Sequence, residues 1–330
     1  MAVTPQTNAT IAEIASFLRD RDDFVICGHV SPDGDCIGSQ LALWHTLKSL
    51  GKNATCVLVK PDPLGPALDF LPGATEMVAA EQFNGVCKTF VGLDVPNRDR
   101  IGQAACALLD AAESSVTVDH HAAERRMCDL AYVDPDAASA SILVWEVVKA
   151  LVGTPSAESA LCAYTGLVTD TGGFRFQNSD ARAFEVAAEL VSYGADPSYV
   201  AVNVYQNRSL ASLKLEALTI NRIELISDGA AAISWVTEDD LQRVNADKTD
   251  VEPLVDTVRS IQGIRVACML REQDGKVRGN LRAKDDTDVA SLARELKGGG
   301  HAAAAGFTIE MPMDEAIRFM REKIEALVAR

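Results

Sequence analysis

Histidine and aspartate side chains gather at a few points of this 330-residue chain. His29, Asp33 and Asp35 share one turn in Gly28–Ser39 (GHVSPDGDCIGS), after the apolar run Phe24-Val25-Ile26-Cys27 and before a helix-like stretch. Three ligand-type side chains on one strand-to-helix turn are costly unless something neutralises them, and a metal ion is the natural candidate. Asp94 ends the run KTFVGLDV, Asp119-His120-His121 end SVTVDHH, and Asp170 closes a helix-like stretch in GLVTDTGGF. The candidate ligands are therefore His29, Asp33, Asp35, Asp94, His120 and Asp170. Without metal, four crowded aspartates repel one another and their pKa values rise. Two divalent cations would balance them, and an oxygen/nitrogen set without thiolate suits Mn²⁺ or a similar ion better than structural zinc. Two ions roughly 3.5–4 Å apart can share a bridging carboxylate and a bridging hydroxide, which would attack phosphorus in line. The competing reading makes these carboxylates helix caps and solvated turn groups.

The elements that must position these groups alternate. A short amphipathic helix at 9–20 precedes a strand at 23–28. Ile37, Leu41 and Trp44 then mark one helical stripe and Leu43, Leu47 and Leu50 a second, with Gly51 as the stop. His45, inside this helix, reads as structural. A strand at 54–59, a Pro/Gly-rich loop at 61–73, a strand at 88–95, a helix at 101–112 and a strand from Ser115 follow. That order predicts an α/β fold with a doubly wound, mainly parallel sheet, in which functional groups collect beyond the carboxyl ends of the strands. Helices are expected at 138–152, 157–169, 181–194 and 209–226. From 230 the pattern changes: strand 230–236, helix 250–262, strands 264–272 and 276–283 joined by Asp274-Gly275, helix 288–297 and helix 313–329. The expected organisation is a catalytic domain at 1–195, a linker and connecting helix at 196–226, and a smaller α/β domain at 227–330, with a cleft between the two domains.

Composition narrows the function. No apolar run approaches the ~20 residues of a membrane span, and the N-terminus lacks a basic, apolar leader, so a cytoplasmic protein with no membrane partner is expected. Eight scattered cysteines without CxxC spacing read as reduced, mostly buried thiols. A net charge of −16 with no extended basic face argues against long nucleic acid and for a small anionic substrate held by local cations.

The segments HVSPDGD, LDVPNRDRIG, VTVDHHA, GLVTDTGGF and GGGHAAAAG, in that order, resemble the DHH phosphoesterase superfamily. More narrowly, they resemble its two-domain nanoRNase/pAp phosphatase (NrnA-like) branch. The resemblance implies that His29 and Asp33 bind one metal, Asp35, His120 and Asp170 the second, and that Asp94 bridges them. It makes Asp119 the group that orients a histidine ring, and His121 the donor to substrate phosphate or the acid to the leaving oxygen. The C-terminal domain resembles a DHH-associated nucleotide-binding domain, in which Gly298, Gly299, Gly300, His301 and Arg282 would bind substrate. Departures are Asn280 and Ala283, where a serine is common, and Ile142, where a threonine is common after the Asp134–Ser141 loop. Arg98 and Arg100 could reach a phosphate or make ion pairs. The implied function is Mn²⁺-dependent hydrolysis of very short oligoribonucleotides to 5′-mononucleotides, together with conversion of 3′-phosphoadenosine 5′-phosphate (pAp) to AMP. The alternative is a cyclic-dinucleotide phosphodiesterase; a non-catalytic nucleotide sensor would have lost a ligand. Manganese pyrophosphatase and processive RecJ-like exonuclease fit less well, and a homodimer is left open.

Overall fold

The structure is a computed structural model describing residues 6–62, 64–122, 125–247 and 249–329. It divides into two compact units, one ending at Asn207 and the other beginning at Arg208. In the first unit Thr10 and Glu13 form a capping box that starts α1 (Ile11–Arg19). There follow β1 (Phe24–Cys27), α2 (Gly34–Ser49), β2 (Ala54–Leu58), β3 (Val78–Ala79), β4 (Thr89–Leu93), α3 (Gly102–Ala111), β5 (Ser114–Asp119) and β6 (Leu130–Val133). Helices α4 (Ala140–Val152), α5 (Ala157–Asp170), α6 (Ala181–Ser192) and α7 (Pro197–Tyr205) complete it.

The six strands form one parallel sheet in the order β3-β2-β1-β4-β5-β6. Alternation along β1 sorts its side chains between two cores. Phe24 and Ile26 pack with residues of α1, α2, α4 and α5, whereas Val25 and Cys27 pack with Ile101, Ala105 and Leu109 around α3. The sheet is thus doubly wound, as its sequence pattern predicts. The chain reverses its winding between β1 and β4, the switch point where such sheets bind ligands. Strands β3 and β6 were not legible in the sequence, being two and four residues long.

Helices α2 and α5 cross closely. A Cβ on Gly38 of α2 would lie 2.4 Å from the Cys162 carbonyl oxygen of α5, and one on Gly166 would lie 2.8 Å from Asp35 Oδ1. Both glycines let the backbones approach until Asp35 and Asp170 reach the same end of the sheet. His45 donates from Nε2 to Pro72 O (2.8 Å) and stacks edge-on against Trp44, a packing role. None of the eight cysteines is bridged; Cys87 and Cys106 are half-buried and the others buried.

The second unit contains α8 (Leu210–Asn221), β7 (Glu224–Ile226), β8 (Ala231–Val236), α9 (Glu238–Val244), α10 (Leu254–Arg259), β9 (Val266–Gln273) and β10 (Lys276–Ala283). It ends with α11 (Val289–Glu295), β11 (Gly299–His301), β12 (Ala304–Ile309) and α12 (Met313–Val328). Its mixed sheet runs β11-β12-β10-β9-β8-β7. Asp274 and Gly275 both hold positive φ (52° and 72°), the geometry of a two-residue hairpin turn. Three helix expectations shift. The helix expected over 209–226 stops at Asn221, because residues 224–226 pair with β8. The one expected over 250–262 is a 3₁₀ turn at Thr249–Val251, then α10, broken by Pro253. Residues 197–205, inside the expected linker, are helix α7, started by Asp196 and Pro197. Among the described residues no helix is long and apolar enough to cross a membrane.

Gly38→Ala tests the α2–α5 approach. Alanine gains about 1 kcal/mol of helix propensity, but its Cβ meets backbone that no rotamer change can move. We expect a net loss of about 1–3 kcal/mol, read as a lower midpoint in denaturant unfolding.

Candidate metal centre

Six side chains from five segments meet beyond the carboxyl ends of β1, β4 and β5. His29 follows β1, and the loop it opens is held to the turn after β4 by the bond Val30 N to Arg100 O (2.7 Å). Asp33 caps α2, its Oδ1 accepting from Cys36 N at 3.0 Å. Asp35, buried in the first turn of α2, accepts from Ala140 N (2.6 Å) and Ser141 N (2.9 Å) at the start of α4. These two aspartates are therefore helix caps, as the simpler reading of the sequence had it. They also face the other candidates, which that reading did not require.

Asp94 is the hub. Its Oδ2 lies 3.3 Å from His29 Nε2, and its Oδ1 lies 3.5 Å from His120 Nε2 and 3.3 Å from His121 Nδ1. His29 Nε2 is also 3.8 Å from Asp33 Oδ1, and His120 Nε2 is 3.8 Å from both Asp35 Oδ2 and Asp170 Oδ2. The other ring nitrogens face carbonyls: His29 Nδ1 at Val30 O (3.0 Å) and His120 Nδ1 at Ala137 O (3.1 Å). A carbonyl can only accept, so Nδ1 carries the proton; Nε2 donates to the carboxylates when protonated and, in the neutral ring, has a lone pair to offer a cation.

The donor set fits divalent cations. Asp94 Oδ1 is buried with no hydrogen bond of good geometry, an orphan of the kind that a cation satisfies. Separations of 3.3–3.8 Å are loose for hydrogen bonds. Two ligands about 2.1 Å from one octahedral ion, by contrast, lie about 3 Å or more apart. One ligand atom each from Asp35, Asp94 and His120 lies within 4.8 Å of the others, and so do atoms of His29, Cys36 and Asp94. Burial holds the Cys36 thiol well above its ordinary pKa, which keeps it a neutral packing group.

The electrostatics follow from this crowding. Burial works against a charged His29, but the nearby carboxylates of Asp94 and Asp33 raise its pKa to about 9. His120 is likewise disfavoured by burial and lifted by Asp94 and Asp170 to about 10. Burial, then Asp94 and Asp170, push Asp35 well up. Burial also raises Asp170, to about 7, with Asp33 and Asp94 adding to it against His120. Asp94 goes the other way: three surrounding histidines overcome its burial and hold it ionised. His121 is raised well above its ordinary value by Asp119 and Asp94 despite burial. Asp119 Oδ1 accepts from His121 Nδ1 (2.9 Å), His120 N (2.8 Å) and His121 N (3.1 Å), so the ring it orients is that of His121.

The glycine-rich segment belongs to the second unit. Gly299–His301 form edge strand β11, and the hairpin they make with β12 was not legible in the sequence. A Cβ on Gly298 would sit 2.1 Å from Gly306 O. One on Gly300, whose φ is +140°, would sit 2.4 Å from Ala304 O. These two glycines thus answer to the hairpin itself, while Gly299 has open space around it. Arg282 on β10 and His301 on β11 both pair with Ala304 and therefore share one face of the sheet, on either side of a small residue. Asn280 pairs with Gly306 on that same face. Arg98 is committed to Asp110 (2.6 Å). Sequence reasoning did not find Asn178, whose side chain bonds the Asp170 carbonyl, because no spacing rule points to it.

Comparisons with known proteins agree with this layout. Residues 23–167 match the DHH family N-terminal domain, and residues 229–330 match the DHHA1 domain. The bifunctional oligoribonuclease and PAP phosphatase NrnA of Thermus thermophilus is 30% identical, the alignment covering 92% of this chain and 90% of that protein. The protein of the same name from Bacillus subtilis is 29% identical over 91% and 93%. A crystal structure of an exopolyphosphatase-related protein from Bacteroides fragilis superposes with a TM-score of 0.89 at 26% identity, covering 99% of this chain and all of that one.

Proton linkage gives a direct test. Below about 9 and about 10, metal-free His29 and His120 hold a second proton that must leave before Nε2 can bind a cation. Apparent Mn²⁺ affinity should therefore rise with pH from 6 towards 9. At pH 7.5, titration calorimetry in buffers of different ionisation enthalpy should show net proton release. Affinity independent of pH would contradict the site.

Proposed function

The chain belongs to the DHH family, and on that footing we propose that it is a metal-dependent phosphoesterase acting on very short oligoribonucleotides and on pAp. The products would be 5′-mononucleotides and AMP. The observation that carries this reading is the convergence of His29, Asp33, Asp35, His120 and Asp170 around the buried carboxylate of Asp94. The activities named for the aligned relatives support the substrate class.

In this reading His29 and Asp33 hold one divalent cation, Asp35, His120 and Asp170 hold the other, and Asp94 serves both. When bound, two such cations, Mn²⁺ in our assignment, neutralise phosphate oxygens and make hydroxide available near neutral pH. Asp94 stays ionised at neutral pH because three histidines face it, so it is ready for a cation. His121 is held by Asp119 through Nδ1, so Nε2–H is the ring donor that would serve the substrate. Its raised pKa keeps that proton in place at pH 7, so it can bond a phosphate oxygen or protonate the leaving oxygen. In the second unit, Arg282 and His301 offer charge and hydrogen bonds to a substrate phosphate or base, and the Gly299 backbone can be approached closely.

The deciding experiment measures kcat/KM with Mn²⁺ for a linear diribonucleotide, pAp and a cyclic dinucleotide. We expect turnover of the first two by the full-length protein. Asp94→Ala should lose activity by ~10³-fold or more. His121→Ala should lower kcat by ~10²–10⁴-fold while the metals stay bound. Release of no mononucleotide by the wild type would defeat the reading, and preference for the cyclic substrate would move it to cyclic-dinucleotide hydrolysis.

The glycines separate structural from substrate roles. Gly300→Ala should lower the unfolding temperature, because its φ and the Ala304 carbonyl both exclude a side chain. Gly299→Ala should leave that temperature within a degree or two but raise KM several-fold. An unchanged KM would remove Gly299 from the substrate site.

A further inference from the structure

Three of the proposed ligands converge on one stretch of backbone that runs from the loop after β6 into the first turn of α4. The Ala137 carbonyl faces His120 Nδ1, and the Ala140 and Ser141 N–H groups bind the two oxygens of Asp35. Between them lies the Ala138 carbonyl, which accepts from Asn178 Nδ2 at 2.8 Å. The same amide nitrogen donates to the backbone carbonyl of Asp170 at 3.1 Å. Both acceptors are carbonyl oxygens, so the amide must present its nitrogen to them. Asn178 Oδ1, in turn, is buried without a partner. A carbonyl oxygen left that way costs about 1–3 kcal/mol, so stability alone does not favour asparagine here. The bonds of His29 and Asp33 run elsewhere, to Val30 O and Cys36 N.

We propose that Asn178 is a positioning residue for the second cation alone. Its one NH₂ group ties the turn that ends α5 to the loop before α4. It thereby sets the spacing of Asp170 relative to Asp35 and His120, which that loop holds directly. Asp170 is the ligand most in need of this: it sits at a helix C-terminus, where the last carbonyls have no partner within the helix. Loss of the bridge frees the turn, and the three ligands no longer meet at one point. His29, Asp33 and Asp94 are untouched by that loss. The inference rests on the two-ion reading above.

The test titrates Mn²⁺ into full-length wild type, Asn178→Ala, Asn178→Asp and Lys149→Ala, by calorimetry and by electron paramagnetic resonance. Asn178→Asp keeps the shape and removes the donor. Lys149→Ala breaks the α4–α6 ion pair with Glu189 without touching either carbonyl, and so controls for general loosening. We expect two ions in wild type and in Lys149→Ala, with the signal of a coupled pair. Both Asn178 variants should keep one site within about twofold and weaken the other by ~10–100-fold, leaving the spectrum of isolated Mn²⁺. If the alanine variant does not fold, Asn178→Ser, which can still donate to one carbonyl, should show an intermediate loss. Two unchanged sites in the Asn178 variants, or equal weakening of both, would overturn the proposal. Fewer than two ions in wild type would instead defeat the two-ion reading on which it stands.

Discussion

The buried carboxylate of Asp94, set among three histidines, is the interaction around which the first unit is built. Asp94 is 1% exposed and faced by three histidine rings, so its charge cannot be left to water. Desolvating one carboxylate costs several kcal/mol unless positive charge is close by. Protons on the histidines supply it in the metal-free protein, and divalent cations can replace them. Everything nearby is arranged so that this exchange is possible: Nδ1 of His29 and of His120 face carbonyls, and the Nε2 atoms face inward.

Convergence of that kind demands close backbone approach. Parallel strands β1, β4 and β5 end side by side, which delivers His29, Asp94 and Asp119 to His121 to one edge. Asp35 and Asp170 must come from helices, and helices pack ~8–10 Å apart unless small residues let them closer. Gly38 and Gly166 are those residues. The N-terminus of α4 then offers two N–H groups to Asp35, a favourable place for a negative charge. Capping and cation binding are not competing uses here. The cap fixes the aspartate and leaves it facing Asp94 and His120, where the three could hold an ion together.

The two units differ in how they use glycine. In the first, glycine brings helices together. In the second, Gly298 and Gly300 permit a tight β11–β12 hairpin, while Gly299 between them has open space for a side chain. The result is a sheet face on which Arg282 and His301 flank Ala304, with Asn280 beside Gly306. Small residues thus separate the polar ones along that face.

The alternating strand and helix pattern, and the acidic or histidine residue at the end of three strands, were local properties and could be read directly. The unbroken apolar run Phe24–Cys27, buried throughout, and the helical stripes through Leu41 and Leu47 carry their own signal. The ligand types, and hence a cation chemistry, followed from the same local reading. Elements too short to show a period did not: β3, β6, β7 and β11 exist because neighbouring strands offer them partners. Nor could spacing along the chain reveal that Asp119 holds His121, that Ala137 to Ser141 hold His120 and Asp35, or that Asn178 joins two carbonyls. The sequence by itself determined which groups were available and the order of the elements that carry them. Only the tertiary structure decided which groups meet, because distances among residues from 29 to 178 are set by strand order and helix crossing, and no local pattern encodes those.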